Sequence, residues 1–230
     1  MKTLGLIGGT GWVSSIDYYK LINQEINKRL GGMQAARLAL YSLNYGEVDA
    51  FVQKDDFESI YKMVADAARK LKNCEVDGLM LCANTTHMFA DQLKAEIKLP
   101  VIHIGEATAR EINVKELSKV ALLGTKFTME MDFYRTKLNK AGIEMMIPGD
   151  DDRKYIHQAI LNELLKDDFR PETKSAFLEI INRLSDAGAE GIILGCTEIP
   201  LLIKPEDANV PLFSTTEIHA MAAVDFALEI

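Results

Sequence analysis

Two short segments of the chain match each other, and one of them carries a thiol where the other has a methyl group. Segment 78–85 aligns with segment 191–198, apolar residue against apolar residue, so that Ala83 stands opposite Cys196. Each segment is an apolar run followed by small and hydroxyl residues, which is typical of a buried parallel strand that ends in a polar loop. The spacing therefore predicts two equivalent strand ends, of which one has a sulfur for chemistry.

A cysteine at a strand end suits general acid–base chemistry on carbon. The pKa of a free thiol, about 8.5, can be lowered by a helix N-terminus or a cationic neighbour, and a general base works best when its pKa is near the operating pH. Backbone N–H groups and threonine hydroxyls would stabilise negative charge on a bound carboxylate. The alternative is that Cys196 is a small core residue, but its place in a loop favours a functional role.

The elements that must position these loops alternate between strand and helix. Apolar spacing typical of helices separates the strand-like runs, for example at Ile16, Tyr19, Ile22 and Ile26. This alternation predicts parallel sheets with helices on both faces. The predicted strands are 3–7, 37–43, 78–82, 101–104, 119–123, 144–147, 191–194 and 210–213.

The internal repeat extends beyond the opening pair of segments. Segment 4–8 resembles 120–124, and 100–102 resembles 211–213. A duplicated half predicts two pseudo-symmetric, three-layer α/β/α domains, 1–99 plus 209–230 and 100–208, each of ordinary domain size. Ligands of open parallel sheets bind outside the carboxyl ends of the strands, so we expect an active-site cleft between the domains.

Composition narrows the class of protein. The 230 residues carry a formal net charge of −8, which argues against binding to a phosphate backbone. Apolar runs are too short for a membrane span or a signal peptide. Three cysteines do not make a disulfide framework, so a cytoplasmic protein is expected. The glycine-rich start lacks the third glycine of a dinucleotide fingerprint, and no phosphate-binding loop of the Walker type follows.

Four segments together carry a family resemblance. Residues 8–12, 84–87, 124–128 and above all 195–199 resemble the aspartate/glutamate racemase family of the aspartate, glutamate and hydantoin racemase superfamily. The resemblance implies proton exchange at the α-carbon of an acidic amino acid, without pyridoxal phosphate, another cofactor or a metal. It also implies a homodimer and a small-molecule partner, which is an acidic amino acid or a dicarboxylate.

The chain departs from the family pattern at one residue. In two-thiol members the first cysteine directly precedes the Asn–Thr pair, whereas Ala83 stands there in this chain and Cys82 comes one position earlier. Because successive strand side chains point to opposite faces, Cys82 is expected to face the packing side. The resemblance includes members with a threonine at this place and activity biased toward one enantiomer. Cys196 is therefore predicted as the sole thiol acid/base, with Thr85, Cys82 or a water as the second donor.

The remaining site residues are hydroxyl, amide and small residues of the four loops. Several could equally be turn or capping residues, and Glu198 could orient the thiol or cap a helix. His87 and His219 could assist or make structural hydrogen bonds, and Lys126, Arg135 and Gln53 are alternatives for the distal carboxylate. The predicted substrate-binding residues are Gly9, Thr10, Ala83, Asn84, Thr85, Thr125, Thr128, Thr197 and Glu198.

These features predict a cofactor-independent racemase or epimerase of aspartate or glutamate that uses one cysteine. One alternative is another single-cysteine reaction of the superfamily, such as decarboxylation or cis–trans isomerisation of a dicarboxylate. A further alternative is a catalytically silent relative that binds a small carboxylate.

Overall fold

The computed structural model describes residues 1–229, and the chain divides into two compact units. One unit consists of Met1–His103 together with the chain from His219 onward, and the other is Ile104–Ile218. Each unit contains a four-stranded sheet in which every neighbouring pair is parallel. Within residues 1–229 the strands are β1 (Leu4–Gly8), β2 (Leu38–Ser42), β3 (Gly78–Leu81), β4 (Val101–Ile102), β5 (Lys119–Gly124), β6 (Glu144–Met146), β7 (Ile192–Gly195) and β8 (Leu212–Ser214).

An α-helix lies in every connection between successive strands of residues 1–229, as parallel strands require. Short 3-10 turns at Thr85–Phe89, Leu164–Lys166 and Pro205–Asp207 complete the connections. In the same described part of the chain the α-helices are α1 (Trp12–Leu30), α2 (Tyr45–Val52), α3 (Phe57–Asn73), α4 (Ala90–Ile97), α5 (Ile104–Val114), α6 (Lys126–Glu130), α7 (Asp132–Lys140), α8 (Asp150–Asn162), α9 (Pro171–Asp186), α10 (Ile199–Leu202) and α11 (Thr215–Leu228).

The two sheets have one topology. The strand order is β2-β1-β3-β4 in the first and β6-β5-β7-β8 in the second. In the first, Ile7 pairs with Leu81, and in the second Leu123 pairs with Leu194, so the matched segments occupy equivalent strands. The predicted α/β fold with two parallel sheets is confirmed.

Alternate residues of the first sheet enter different cores. Leu79 and Leu81 of β3 pack with buried residues of α3 and α4, whereas Met80 and Cys82 pack with residues of α1 and α11. This is the two-residue period of a strand that is covered on both faces. Cys82 therefore lies in the core opposite to the face of Leu81.

The second sheet follows the same rule. Ile192, Leu194 and Cys196 pack with buried residues of α8 and α9, and Ile193 packs on the other face with residues of α5 and α7. Cys196 thus continues the face of Leu194.

The last helix covers the first sheet with its small side chains. Ala220, Ala223, Val224 and Ala227 recur at helical spacing and pack with Leu4 and Leu6 of β1, while Lys2 N–H donates to the Ala227 carbonyl over 2.8 Å. The first unit is therefore built from both ends of the described chain.

The turn after β1 requires a glycine. Gly9 has φ of +87°, and a Cβ atom there would lie 2.0 Å from the carbonyl oxygen of Leu43. Only glycine combines this positive φ with such a close backbone approach. The strand end is thereby held tightly against the residue that follows β2.

None of the helices formed by residues 1–229 has the length and apolar character needed to cross a bilayer.

Candidate active site

The turn after β7 joins a thiol, a hydroxyl and a carboxylate. The Cys196 thiol donates to Glu198 Oε2 over 3.0 Å, and the Thr197 hydroxyl donates to the same oxygen over 2.8 Å. Cys196 and Thr197 are each 7% exposed, and Glu198 is 2% exposed. The polar groups of this turn thus bind each other inside the protein, next to the apolar core of the second unit.

The Glu198 side chain bonds the thiol and does not cap the following helix. It stands at the position before α10, but its side chain makes no capping hydrogen bond there. The backbone bends so that Ile199 N–H donates to the Cys196 carbonyl over 3.1 Å. This tight turn brings the carboxylate back onto the side chain two residues earlier.

The surroundings of Cys196 favour the protonated thiol. Burial raises its pKa well above the ordinary value, and the charge and hydrogen bond of Glu198 raise it further. Backbone hydrogen bonds from Glu198 and Thr197 act in the opposite direction. The sequence predicted a lowered thiol pKa, and in the structure the direction is the reverse, first because the thiol is buried and second because the charge beside it is a carboxylate rather than a cation.

The neighbouring strand end of the second unit carries the two predicted threonines. Gly124 pairs with Gly195, so Thr125 and Cys196 follow adjacent strands. Thr125 caps α6 by accepting from Thr128 N–H over 3.3 Å, and the two hydroxyl oxygens are 3.1 Å apart. Both threonines therefore take part in a capping turn at the same edge of the sheet as Cys196.

In the first unit, the loop after β1 contains Gly9 and Thr10. Gly9 N–H donates to the Ser15 hydroxyl over 2.9 Å, and Thr10 is half-buried. Because Ile7 pairs with Leu81, this loop and the one at Ala83 leave the same edge of the first sheet.

The loop after β3 separates Cys82 from the residues that follow it. Cys82 is 1% exposed among apolar residues, and burial raises its pKa. Ala83 and Thr85 are half-buried, Asn84 is buried, and the 3-10 turn begins at Thr85. The structure thus places the Cys82 thiol in packing and keeps Ala83, Asn84 and Thr85 in the strand-end loop.

A buried histidine cluster lies behind this loop, and sequence reasoning did not assemble it. The ring of His87 lies 4.9 Å from that of His103 and 5.2 Å from that of His219, between centroids. The Tyr18 hydroxyl lies 2.9 Å from His219 Nδ1. The only signal in the sequence is that His87 and His219 follow two strand-end loops, because the four residues are far apart along the chain.

The other candidates have hydrogen bonds of their own or lie at the surface. Arg135 donates to the Met145 carbonyl over 2.9 Å, and Gln53 donates to Asp49 over 3.4 Å. Lys126 is exposed, and its N–H donates to His157 Nδ1 over 3.3 Å. Cys74 is exposed after α3. Across residues 1–229, His, Cys, Asp and Glu side chains form no group of three that could hold a metal ion.

The fold and this site together define a class of protein. It is a duplicated α/β protein in which each unit has the same parallel sheet and one unit carries a buried thiol–carboxylate pair at a strand end.

The chain belongs to the Asp/Glu/hydantoin racemase family, because the family profile described as Asp/Glu/Hydantoin racemase matches residues 7–223. It is similar to the crystal structure of a candidate Asp/Glu racemase from Yersinia pestis, with 42% identity, a TM-score of 0.92 and coverage of 99% of this chain and 100% of that chain.

Two further relatives are more distant. The crystal structure of an aspartate racemase homologue from Pyrococcus horikoshii OT3 has 34% identity and a TM-score of 0.83, over 99% of this chain and 100% of that one. The broad specificity amino-acid racemase RacX of Bacillus subtilis is 25% identical over 169 residues, which are 74% of this chain and 73% of the relative.

Proposed function

We propose that this protein is a cofactor-independent racemase or epimerase of aspartate or glutamate, and that the Cys196 thiol exchanges the α-proton. The observation that carries the proposal is the buried pair of Cys196 and Glu198 after β7, in a chain of this family. The names of the two similar crystal structures, an Asp/Glu racemase candidate and an aspartate racemase homologue, support an acidic substrate.

The proposed reaction moves one proton at each face of the α-carbon. The Cys196 thiol gives its proton to the Glu198 carboxylate, and the resulting thiolate takes the proton from the substrate's α-carbon. The electron pair of the C–H bond passes into the α-carboxylate as an enediolate-like state. A proton from the second donor returns to the opposite face and completes inversion, and the proton left on Glu198 then replaces the one that the second donor gave up. The thiol form of Cys196 serves the reverse direction as the proton donor.

Glu198 has two opposing effects in this scheme. It raises the pKa of the thiol, so the resting group is S–H and ready to donate. It is also an acceptor 3.0 Å from Sγ, which lets the thiol lose its proton without exposure to bulk water. The Thr197 hydroxyl holds the same carboxylate oxygen and keeps it in place.

The opposite face of the α-carbon has a weaker donor in this proposal. Ala83 has no exchangeable proton on its side chain, and the Cys82 thiol lies among apolar side chains. Thr85, in the strand-end loop, or a water then supplies the second proton. A hydroxyl is a much weaker acid than a thiol, so we expect exchange to be faster from one enantiomer.

The hydroxyl and amide residues of the loops complete the proposed substrate site. The side chains of Thr10, Asn84, Thr125 and Thr128 have the donors that a dicarboxylate needs. We further propose a homodimer, as the family resemblance implies, and a cytoplasmic location, as the cysteine content favours.

The test is hydrogen exchange at the α-carbon. The protein would be incubated in D2O with L- or D-aspartate and L- or D-glutamate, and deuterium would be followed by NMR with chiral chromatography of the products. Deuterium uptake that depends on Cys196, with inversion and a preference for one enantiomer, is the expected result. Uptake from none of the four would overturn the proposal.

Parallel incubations with other dicarboxylates, maleate among them, separate the alternatives. Release of CO2 from a dicarboxylate would identify a decarboxylase, and conversion of maleate to fumarate would identify an isomerase. Binding of these acids in calorimetry without any chemical change would identify a silent carboxylate-binding protein.

A further inference from the structure

The carbonyl of Ala83 accepts two side-chain hydrogen bonds from its own loop. The Thr86 hydroxyl donates to it over 3.1 Å, and His87 Nδ1 lies 2.9 Å from the same oxygen. A carbonyl can only accept, so the proton of the His87 ring that makes this bond is on Nδ1. The Nδ1 proton of His87 is therefore directed at the Ala83 carbonyl.

Holding this carbonyl fixes a whole peptide group. The Ala83 carbonyl and the Asn84 N–H belong to one planar trans peptide, so they point in opposite directions. A donor that orients the carbonyl therefore orients the Asn84 N–H as well. Ala83 and Asn84 are both residues that the proposed function assigns to the substrate.

The rings behind His87 are held in turn. His219 Nε2 lies 2.7 Å from the Ile102 carbonyl and must donate, so Nδ1 of the neutral ring accepts from the Tyr18 hydroxyl. Burial and the nearby His87 ring lower the pKa of His219 to about 3. His219 thus stays uncharged, and its ring edge packs against His87 at 5.2 Å.

The cluster joins four parts of the first unit. Tyr18 lies on α1, His219 on α11, His103 directly after β4, and His87 in the 3-10 turn after β3. Tyr18 and His219 are 0% exposed and His87 is 1% exposed. The position of the His87 ring therefore depends on these packed elements as well as on its own loop.

We propose that His87 is a positioning residue for the proposed exchange reaction, and that its Nδ1–H, held by the His219–Tyr18 pair, orients the Ala83–Asn84 peptide for the substrate. The inference rests on the proposed function of the strand-end loops. His87 acts through the backbone and does not itself transfer a proton to the substrate.

Substitutions at His87 can separate this role from packing. His87→Asn retains a donor, because the asparagine amide nitrogen can occupy the place of Nδ1, but it leaves a void. His87→Phe retains the volume of the ring and removes the donor. Positioning predicts that His87→Phe lowers kcat for α-proton exchange by about 10-fold or more, whereas His87→Asn stays much closer to wild type.

A purely structural role predicts the opposite order. The void left by His87→Asn would then be more harmful than the well-filled His87→Phe. His87→Gln can be compared with His87→Asn even if His87→Phe does not fold. The glutamine amide reaches the place of Nε2 rather than Nδ1, so this variant keeps a donor but not at the position that bonds the Ala83 carbonyl. If His87 is a positioning residue, the kcat of His87→Gln should be as low as that of His87→Phe. Equal kcat values for His87→Asn and His87→Gln would overturn the inference.

Amide hydrogen–deuterium exchange measured by mass spectrometry provides a readout that does not require catalysis. We expect faster exchange in peptides that cover 82–90 for His87→Phe and His87→Gln, with His87→Asn near wild type and peptides covering 192–199 unchanged in all. The same protection of 82–90 in all four proteins would overturn the inference. If the variants show this order of amide exchange but the wild-type protein shows no α-proton exchange, the proposed function alone would be refuted.

Discussion

The thiol of Cys196 and the carboxylate of Glu198 form a 3.0 Å hydrogen bond inside a turn of three residues. Such a pair can exist as thiol with carboxylate or as thiolate with carboxylic acid, and the proton can move between the two without crossing solvent. Because the pair is buried, nearby charges strongly influence which of the two forms is populated, since charges interact more strongly where water is excluded. The properties of this bond determine the first two predictions.

Cys196→Ser should abolish α-proton exchange. Serine keeps the size and the hydrogen bond to Glu198, but an alcohol gives up its proton far less readily than a thiol. We expect the rate to fall by about 10²-fold or more, the usual contribution of a general acid or base. Exchange would be measured by NMR in D2O at saturating substrate.

The matched control for this substitution is Cys74→Ser, which changes an exposed thiol of the first unit. Cys74→Ser should catalyse α-proton exchange at the wild-type rate. If Cys196→Ser retained wild-type exchange, Cys196 would not be the acid/base group.

Glu198→Gln should make the thiol more reactive and the enzyme slower. Glutamine removes the negative charge that raises the pKa of Cys196, so the pKa falls and more thiolate is present at a given pH. The pH profile of Cys196 alkylation by iodoacetamide, followed peptide by peptide in a mass spectrometer, should therefore shift to lower pH. The exchange rate should fall, because the acceptor of the thiol proton is lost.

Glu179→Gln, an exposed position on α9 in the same unit, is the control and should leave both profiles in place. An alkylation profile of Glu198→Gln that coincided with wild type would show that the carboxylate does not act on the thiol.

The strands were predictable from the sequence because each buried strand is a short apolar run that is separated from the next by a segment with helical spacing. All eight predicted strands have a counterpart in the structure. The ends were less predictable: the run 101–104 suggested a four-residue strand, yet β4 has only Val101 and Ile102, and Ile104 begins α5. An apolar residue is equally suited to the end of a strand and the buried first turn of a helix, so periodicity does not separate them.

The site was predictable only where contacts are local. The repeat placed Cys196 directly after a strand, where the structure has it. It left open whether Glu198 faces the thiol, because a glutamate in this position also suits a helix N-terminus. The cluster of Tyr18, His87, His103 and His219 depends on the packing of α11 on the first sheet, which brings together residues some 200 positions apart.

The stability of the protein should fall in mild acid because of His219. Its pKa is about 3 when folded and about 6.5 in an unfolded chain. Between these pH values the unfolded state binds more protons than the folded state. The contribution of His219 to the free energy of unfolding is therefore complete above pH 6.5 and is lost as the pH falls. The expected slope of the unfolding free energy approaches about 1.4 kcal/mol per pH unit.

Urea denaturation followed by circular dichroism between pH 7 and pH 5 would measure this slope. His219→Gln should make it flatter whatever the absolute stability of the variant, whereas substitution of the half-buried His157 by Gln should change it less. A slope that is the same with and without His219 would mean that the ring is protonated inside the folded protein.

Cys82→Ser should destabilise the protein without acting on the chemistry. The Cys82 thiol packs among apolar residues that include Met80 and Tyr18, and a serine hydroxyl buried there without a partner costs about 1–3 kcal/mol. Cys82→Ala, which leaves a small void but buries no hydroxyl, is the matched variant and should cost less. The order of the two midpoints in urea would show whether the site is apolar.

The exchange rate per folded molecule distinguishes the two thiols of the matched segments. In Cys82→Ala it should remain within about 3-fold of wild type, because the expected effect is on packing rather than on a general acid or base worth 10²-fold or more. A loss comparable to that of Cys196→Ser would instead make Cys82 the second proton donor. The chain would then be a two-thiol enzyme whose first cysteine has moved by one residue, and the strand end after β3 would have to rotate its side chains when substrate binds.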